Sequence, residues 1–343
     1  MVLPDGFNQS LNFIPPTVQS LYFHNIKYQL ALDSIPATVT RLYLLDGFDQ
    51  PLNFIPPTIE YLHLQNIKCQ LTPDSIPATV KNLFLQNGFD QPLNFIPPTV
   101  QWLYLQKIKY QLKSGSIPAT ITYLFLQEGF DQPLNFIPPT LKYLYLQNID
   151  YQLTIDSIPA TVTYLYLRDG FNQPLNFIPS TLEYLYLQNI KYQLTPDSIP
   201  ATVIHLHLLD GFDQPLNFIP PTLKYLYLYN IKYQLKSDSI PETIAYLYLQ
   251  EGFNQPLNFI PPTLKHLYLQ KIKYLLTLNS IPATVTHLYL RDGFDQPLNF
   301  IPPTIEYLYL QNIKYQPGLT PNHLTFLTFS NGLSTTYYKK YNP

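Results

Sequence analysis

The stretch Ile96-Pro97-Pro98-Thr99-Val100-Gln101-Trp102-Leu103-Tyr104-Leu105-Gln106-Lys107-Ile108-Lys109-Tyr110-Gln111-Leu112 decides the fold. Its centre alternates with period two, so Leu103 and Leu105 lie on one side of an extended strand and Tyr104 on the other. Val100, Ile108 and Leu112 fall at wider spacing, and turns must carry them back to the leucine side. The upstream Ile-Pro-Pro-Thr is too short and too proline-rich for a helix, because proline lacks the N–H and holds its predecessor extended. The segment reads as one short strand and a turn, with a return path of polyproline-II, 3₁₀ or simple turns.

The same phrase recurs along the whole chain. A marker phenylalanine stands at Phe7, Phe48, Phe89, Phe130, Phe171, Phe212, Phe253 and Phe294, always 41 residues apart. The Ile-Pro pairs at Ile14, Ile35, Ile55, Ile76 and Ile96 divide each unit into steps of 21 and 20. A unit of about 20 residues cannot bury its apolar face alone, so the coils must stack. The expectation is an all-β solenoid of sixteen 20/21-residue coils with a helix-poor convex side. Residues 1–333 form one solenoid domain of eight double repeats whose last coil is degenerate, and 334–343 form a polar tail.

The two halves of the unit differ. One, here the A half, runs from Leu187 through Ile190 to Leu194; the other, the B half, runs from Leu208 through Gly211 and Phe212 to Leu216. The B half holds one extra residue beside Gly211, where glycine suits a turn of positive φ. Phe212 then takes the inward place that Ile190 holds in the A half.

The L-x-x-L-x-L-x-x-I spacing is that of a leucine-rich repeat. With the marker Phe171-Asn172-Gln173-Pro174 and the following Ile178-Pro179, the chain resembles the FNIP repeats, leucine-rich-repeat relatives expanded in amoebae and in the giant viruses that infect them. The resemblance covers essentially all of the sequence. It implies a solenoid that serves in recognition. Some members of the viral type carry an N-terminal F-box. None is expected here, because Leu3-Pro4-Asp5-Gly6-Phe7 already aligns with Leu44-Leu45-Asp46-Gly47-Phe48 inside a B half.

Net charge is −2 and charged residues are 12% of the chain, which argues against a polycation for nucleic acid or a basic membrane-surface protein. The lone cysteine, Cys69, excludes an internal disulfide framework and favours a reducing compartment, the cytoplasm, or host cytoplasm for a viral chain. The N-terminus reads as no signal peptide, and no apolar run reaches membrane-span length.

Strand residues that alternate with the leucines share an outer, concave face. The candidate partner-binding residues are Trp102, Tyr104, Tyr123, Tyr143, Tyr145, Tyr164, Tyr166, Tyr184, Tyr186, Tyr225, Tyr227, Tyr246 and Tyr248, beside a row of glutamines that includes Gln106, Gln127 and Gln147. Tyr and Trp are enriched at binding hot spots. The same ladders could simply stabilise the sheet, or stack against glycans or nucleobases, although the face has few basic groups.

Catalytic constellations are not visible. His205 with His207, and His266 with His287, lack thiolates or carboxylates at ligand spacing, and Cys69 has no local base. No metal, cofactor or enzymatic activity is expected.

Lys27, Asp49, Lys68, Asp90, Lys109 and Asp131 recur at one position of successive coils and suggest a cross-coil charge ladder. Leu11, Phe13 and Ile14 of the first coil have no polar cap, which predicts a homodimer through the N-terminal coil. The functional expectation is a non-enzymatic scaffold that binds a protein partner on the Tyr/Gln face. The alternative is a structural or self-assembling repeat protein. Far-ultraviolet circular dichroism should show strand and turn with little helix; a helix content near one third would refute the solenoid.

Overall fold

The structure is a computed structural model that describes residues 1–313, 324–330 and 335–339. The chain divides into two compact units, Met1–Leu165 and Tyr166–Pro343. The first unit carries β1 (Ser20–His24), β2 (Arg41–Leu45), β3 (Tyr61–Gln65), β4 (Asn82–Gln86), β5 (Trp102–Gln106), β6 (Tyr123–Gln127) and β7 (Tyr143–Gln147). The division falls within β8 (Tyr164–Arg168). The second unit continues with β9 (Tyr184–Leu187), β10 (His205–Leu208), β11 (Tyr225–Tyr229), β12 (Tyr246–Gln250), β13 (His266–Gln270), β14 (His287–Arg291), β15 (Tyr307–Gln311), β16 (Phe326–Ser330) and β17 (Thr335–Lys339). There is no α-helix among the described residues.

Both units are built alike, as leucine-rich-repeat-like β-solenoids. Each coil contributes one strand, which pairs in parallel with the next in chain order. In the first unit the register sets Leu21 beside Leu42, Leu62, Leu83, Leu103, Leu124 and Leu144. In the second, Leu185 is followed by Leu206, Leu226, Leu247, Leu267, Leu288 and Leu308. The alternation of the Leu-x-Leu phrase appears directly as burial. Leu103 and Leu105 are fully buried, while Trp102, Tyr104 and Gln106 are half-buried on the other face.

The return path follows from its prolines. Leu-Asn-Phe forms a single 3₁₀ turn at Leu11–Phe13, Leu52–Phe54, Leu175–Phe177 and Leu298–Phe300, and each ends where an Ile-Pro returns the chain to extended φ/ψ. In the B half the phenylalanine after the strand packs on the one six residues later, as Phe171 does on Phe177 at 5.7 Å. Gly211 has φ +82°, as its turn requires. The A half makes its own turn with Asn189 at φ +46°, in the left-handed region that asparagine tolerates.

A glutamine two residues after the marker phenylalanine clamps a B half to the A half before it. Gln132 Nε2 donates to the Tyr110 carbonyl at 2.9 Å, and its Oε1 accepts the Leu112 N–H at 2.8 Å. Gln50, Gln91, Gln214, Gln255 and Gln296 repeat the pair of bonds on their own preceding coils. At the opposite junction, B half to following A half, the Lys191 N–H donates to the Phe171 carbonyl at 2.8 Å, and Asn66 Nδ2 donates to Asp46 Oδ1 at 3.3 Å.

Two expectations are corrected. The Lys/Asp ladder makes no ion pair among the described residues, and Lys314 lies outside them. The ion pairs are Lys81–Glu60, Lys107–Glu128 and Lys271–Glu251, all exposed, where solvent leaves each worth ~0–1 kcal/mol. Leu11 and Ile14 are buried at 2% and 6% exposure, and of the three only Phe13, 48% exposed, meets solvent. Backbone from Met1 to Leu3 lies along β1, with the Leu3 N–H on the Tyr22 carbonyl and Val2 bridged to Tyr22. Within the stretch expected as a polar tail, β17 pairs antiparallel with β16, and 334 and 340–343 lie outside the described residues.

The clamp gives a direct stability test. Gln214→Met keeps volume but leaves the Leu194 N–H and the Tyr192 carbonyl unbonded. Each orphaned buried group costs ~1–3 kcal/mol, to be read from urea unfolding. Gln9→Met, at an exposed copy of the same position, should stay within about 0.5 kcal/mol of the parent.

Candidate interaction face

The parallel register puts like on like, and the outward positions become ladders of rings. In the first unit Phe84, Tyr104, Phe125 and Tyr145 stack at 3.8, 3.9 and 4.0 Å with interplanar angles of 11°, 10° and 17°. A second ladder, two residues earlier on each strand, runs Trp102, Tyr123, Tyr143 and Tyr164 at 3.8, 4.3 and 4.3 Å. In the second unit one ladder runs Tyr166, Tyr186, His207, Tyr227, Tyr248, Tyr268 and Tyr289, with every step between 3.8 and 4.1 Å. Its companion runs Tyr184, His205, Tyr225, Tyr246, His266 and His287 at 4.1 to 4.5 Å. All thirteen candidate residues therefore sit on the outward face of their strands, half-buried and in ring contact with neighbours.

This packing decides what the face can do chemically. Parallel rings at under 4.5 Å cover one another's π faces, so solvent meets ring edges and phenol hydroxyls. A platform on which sugars or bases lie flat is not available along the unbroken ladder. Burial pushes the Tyr104 hydroxyl up to about 12, and also raises Tyr227 and Tyr268, which face hydroxyls of Tyr248 and Tyr289. These phenols stay protonated at neutral pH and can both donate and accept.

The glutamine row carries its own contacts. Gln86 Oε1 lies 3.0 Å from His63 Nε2, Gln106 Nε2 donates to Glu128 at 3.2 Å, and Gln65 Nε2 donates to Asp46 at 3.1 Å. Cationic groups are few: Arg168 Nε donates to Gln188 Oε1 at 2.8 Å, and Arg291 lies over the Tyr268 ring at 5.1 Å.

The histidines occupy tyrosine places in the ladders, as their register suggested. His207 sits between Tyr186 and Tyr227 at 4.0 and 3.8 Å and is 9% exposed. Burial first, then the neighbouring His205, lowers its basicity to a pKa of about 3. Burial likewise lowers His63, His205, His266 and His287. No group of three or more potential metal ligands forms among the described residues. Burial raises the Cys69 thiol to about 11, a protonated and unreactive state at neutral pH. Among the described residues no helix is long and apolar enough to cross a membrane.

Sequence reading missed the glutamine clamps. Their only signal was the recurrence of Gln two residues after the marker phenylalanine, which alone does not say whether the side chain turns inward.

The FNIP Repeat family model matches residues 7–46, 48–88, 130–170, 171–210, 212–252, 235–271, 253–293 and 275–313, well over half of the chain. Among solved structures, YopM from Yersinia enterocolitica WA-314 is similar at 16% sequence identity, covering 92% of this chain and 73% of that one with a TM-score of 0.37. Comparison with curated proteins returned no match.

The stacked histidines predict acid sensitivity. His207, held neutral in the fold, takes up its proton only on unfolding, so its contribution is complete above about pH 6.5 and is lost as pH falls toward about 3. Each such histidine should add a slope of up to ~1.4 kcal/mol per pH unit within that window. Urea unfolding between pH 7 and pH 5, above the ordinary carboxylate range, should lose slope in the His205→Tyr, His207→Tyr double variant. An unchanged slope would remove these residues as the cause.

Proposed function

Since this chain belongs to the FNIP repeat family, we propose that it is a non-enzymatic scaffold that binds a protein partner on its outward Tyr/Gln face. The observation that carries the reading is the pre-ordered ladder of half-buried phenols. The leucine side already closes the core, with Leu226 and Leu247 fully buried, while the rings stand on the opposite face of the strands. Their conformational entropy is largely lost before any partner arrives, which lowers the cost of binding. Hydroxyls and amides side by side supply hydrogen bonds at an interface whose bodies are aromatic, the composition favoured at hot spots. Few cations and a net charge of −2 support a protein partner over a polyanion.

The test is affinity capture from a host extract with a variant of the second unit. Tyr225→Ala with Tyr246→Ala should weaken capture by ~2–4 kcal/mol in total. Leu226→Ala empties a core position and should cost ~2–5 kcal/mol of stability, against a much smaller loss for the tyrosine pair. Undiminished capture by a folded tyrosine variant would reduce the ladder to sheet stabilisation.

A further inference from the structure

Along four successive strands of the second unit, one aromatic ladder is an unbroken row of phenols. Tyr227 on β11 stacks on Tyr248 of β12 at 4.1 Å and 15°. Tyr248 stacks on Tyr268 of β13 at 4.0 Å and 17°, and Tyr268 on Tyr289 of β14 at 3.9 Å and 5°. The hydroxyl of Tyr227 faces that of Tyr248, and the hydroxyl of Tyr268 faces those of Tyr248 and Tyr289, so the rings point the same way. Near-parallel rings that point the same way are related by little more than a translation, and a translation moves every atom equally. The carbon ortho to each hydroxyl therefore lies about 4 Å from its counterpart on the next strand, in van der Waals contact.

We propose that this row is an oxidative coupling site, at which a one-electron oxidant of the peroxidase class joins neighbouring coils of one chain through dityrosine bonds. Each of two adjacent phenols gives up one electron and its hydroxyl proton, leaving two phenoxyls. A carbon–carbon bond forms between the facing ortho carbons. The hydrogen on each of those carbons then moves to its own ring's oxygen, which restores both phenols. The protein loses two hydrogen atoms in all, and one hydrogen peroxide takes them up as two waters. A phenoxyl also takes an electron and a proton from the phenol it faces, which becomes the radical in its place, so radicals formed at two places in the row meet. Tyr227, Tyr248 and Tyr289 are half-buried, and their solvent-facing edges are where the oxidant reaches the row. The site needs no binding partner and stands apart from the interaction reading.

The chain carries its own controls. Tyr104 sits as tightly between Phe84 and Phe125, at 3.8 and 3.9 Å, but neither neighbour is a phenol. Tyr192, Tyr233 and Tyr274 are half-buried like the ladder tyrosines, yet they recur only in every second coil and make no ring contact among the described residues.

The whole protein, dilute, is treated with a peroxidase and limiting hydrogen peroxide. Blue dityrosine emission should appear while the chain remains monomeric in denaturing electrophoresis. Mass spectrometry should find tryptic peptides joined, with the loss of two hydrogens, through Tyr248–Tyr268 or Tyr268–Tyr289. Tyr248→Phe copies the residue type that the first unit carries in its own ladder at Phe84 and Phe125, so it keeps the stack and removes one phenol. In that variant Tyr227 should drop out of the coupled pairs while Tyr268–Tyr289 persists. Coupling that takes in Tyr104, Tyr192, Tyr233 or Tyr274, coupling chiefly between chains, Tyr227 still coupled in Tyr248→Phe, or no dityrosine at all would each overturn the proposal. Each bond closes a loop of about 20 residues in the unfolded chain, so the coupled protein should melt higher than the parent. A lower melting temperature would show that the bond strains the coils, and would equally overturn it.

Discussion

Backbone hydrogen bonds between parallel strands hold one coil about 4.8 Å from the next, and nearly everything else in this protein follows from that spacing. Because each coil repeats its neighbour, every side chain meets a copy of itself at that distance. For leucine the result is a dry column such as Leu206, Leu226 and Leu247, closed without gaps. For tyrosine it is a near-parallel stack, with ring centroids 3.8–4.5 Å apart, where rings touch. Core and candidate interaction face are one constraint applied to two residue types.

The doubling of the repeat has a local cause. A B half carries an extra residue at its glycine turn and so cannot present the same backbone to the coil before it as an A half does. The clamp glutamine repairs the mismatch by bonding a carbonyl and an N–H that the strand ladder does not reach, as Gln255 does for Tyr233 and Leu235. At the other junction the Phe171 carbonyl meets the Lys191 N–H directly. Buried backbone groups must be bonded somewhere, and the two junctions of the unit meet that demand with different partners.

Stacking also changes what the aromatic face offers. Rings that cover each other give a partner edges, hydroxyls and glutamine amides, a firm polar rail with apolar sides. Substitutions within the ladder are therefore informative. Histidine at 207 preserves the stack and exchanges a phenol for an imidazole kept neutral by burial. Asparagine at 82 stands in register between Tyr61 and Trp102, where no ring is offered to the ladder. Across sixteen near-copies of one strand, such departures are where chemistry distinguishes one coil from another.

The sequence by itself determined the all-β solenoid, its family, the strand positions and the inward leucines. Period and alternation are properties of the chain that every coil repeats, and propensity, pattern and proline placement all agree on them. It also located the outward rings, because period-two alternation assigns a side to each residue. What tertiary structure alone decided depends on distances between coils. The Lys27/Asp49 series looked like a charge ladder yet makes no ion pair among the described residues, since neighbours in register need not bring long exposed side chains together. Leu11 and Ile14 looked exposed, but both are buried. Gln132 looked like turn decoration and proved to be a buried clamp. Whether a ring shows its face or its edge, and therefore what the candidate site can bind, is set by the angle and separation of neighbouring side chains, and no one-dimensional pattern encodes those.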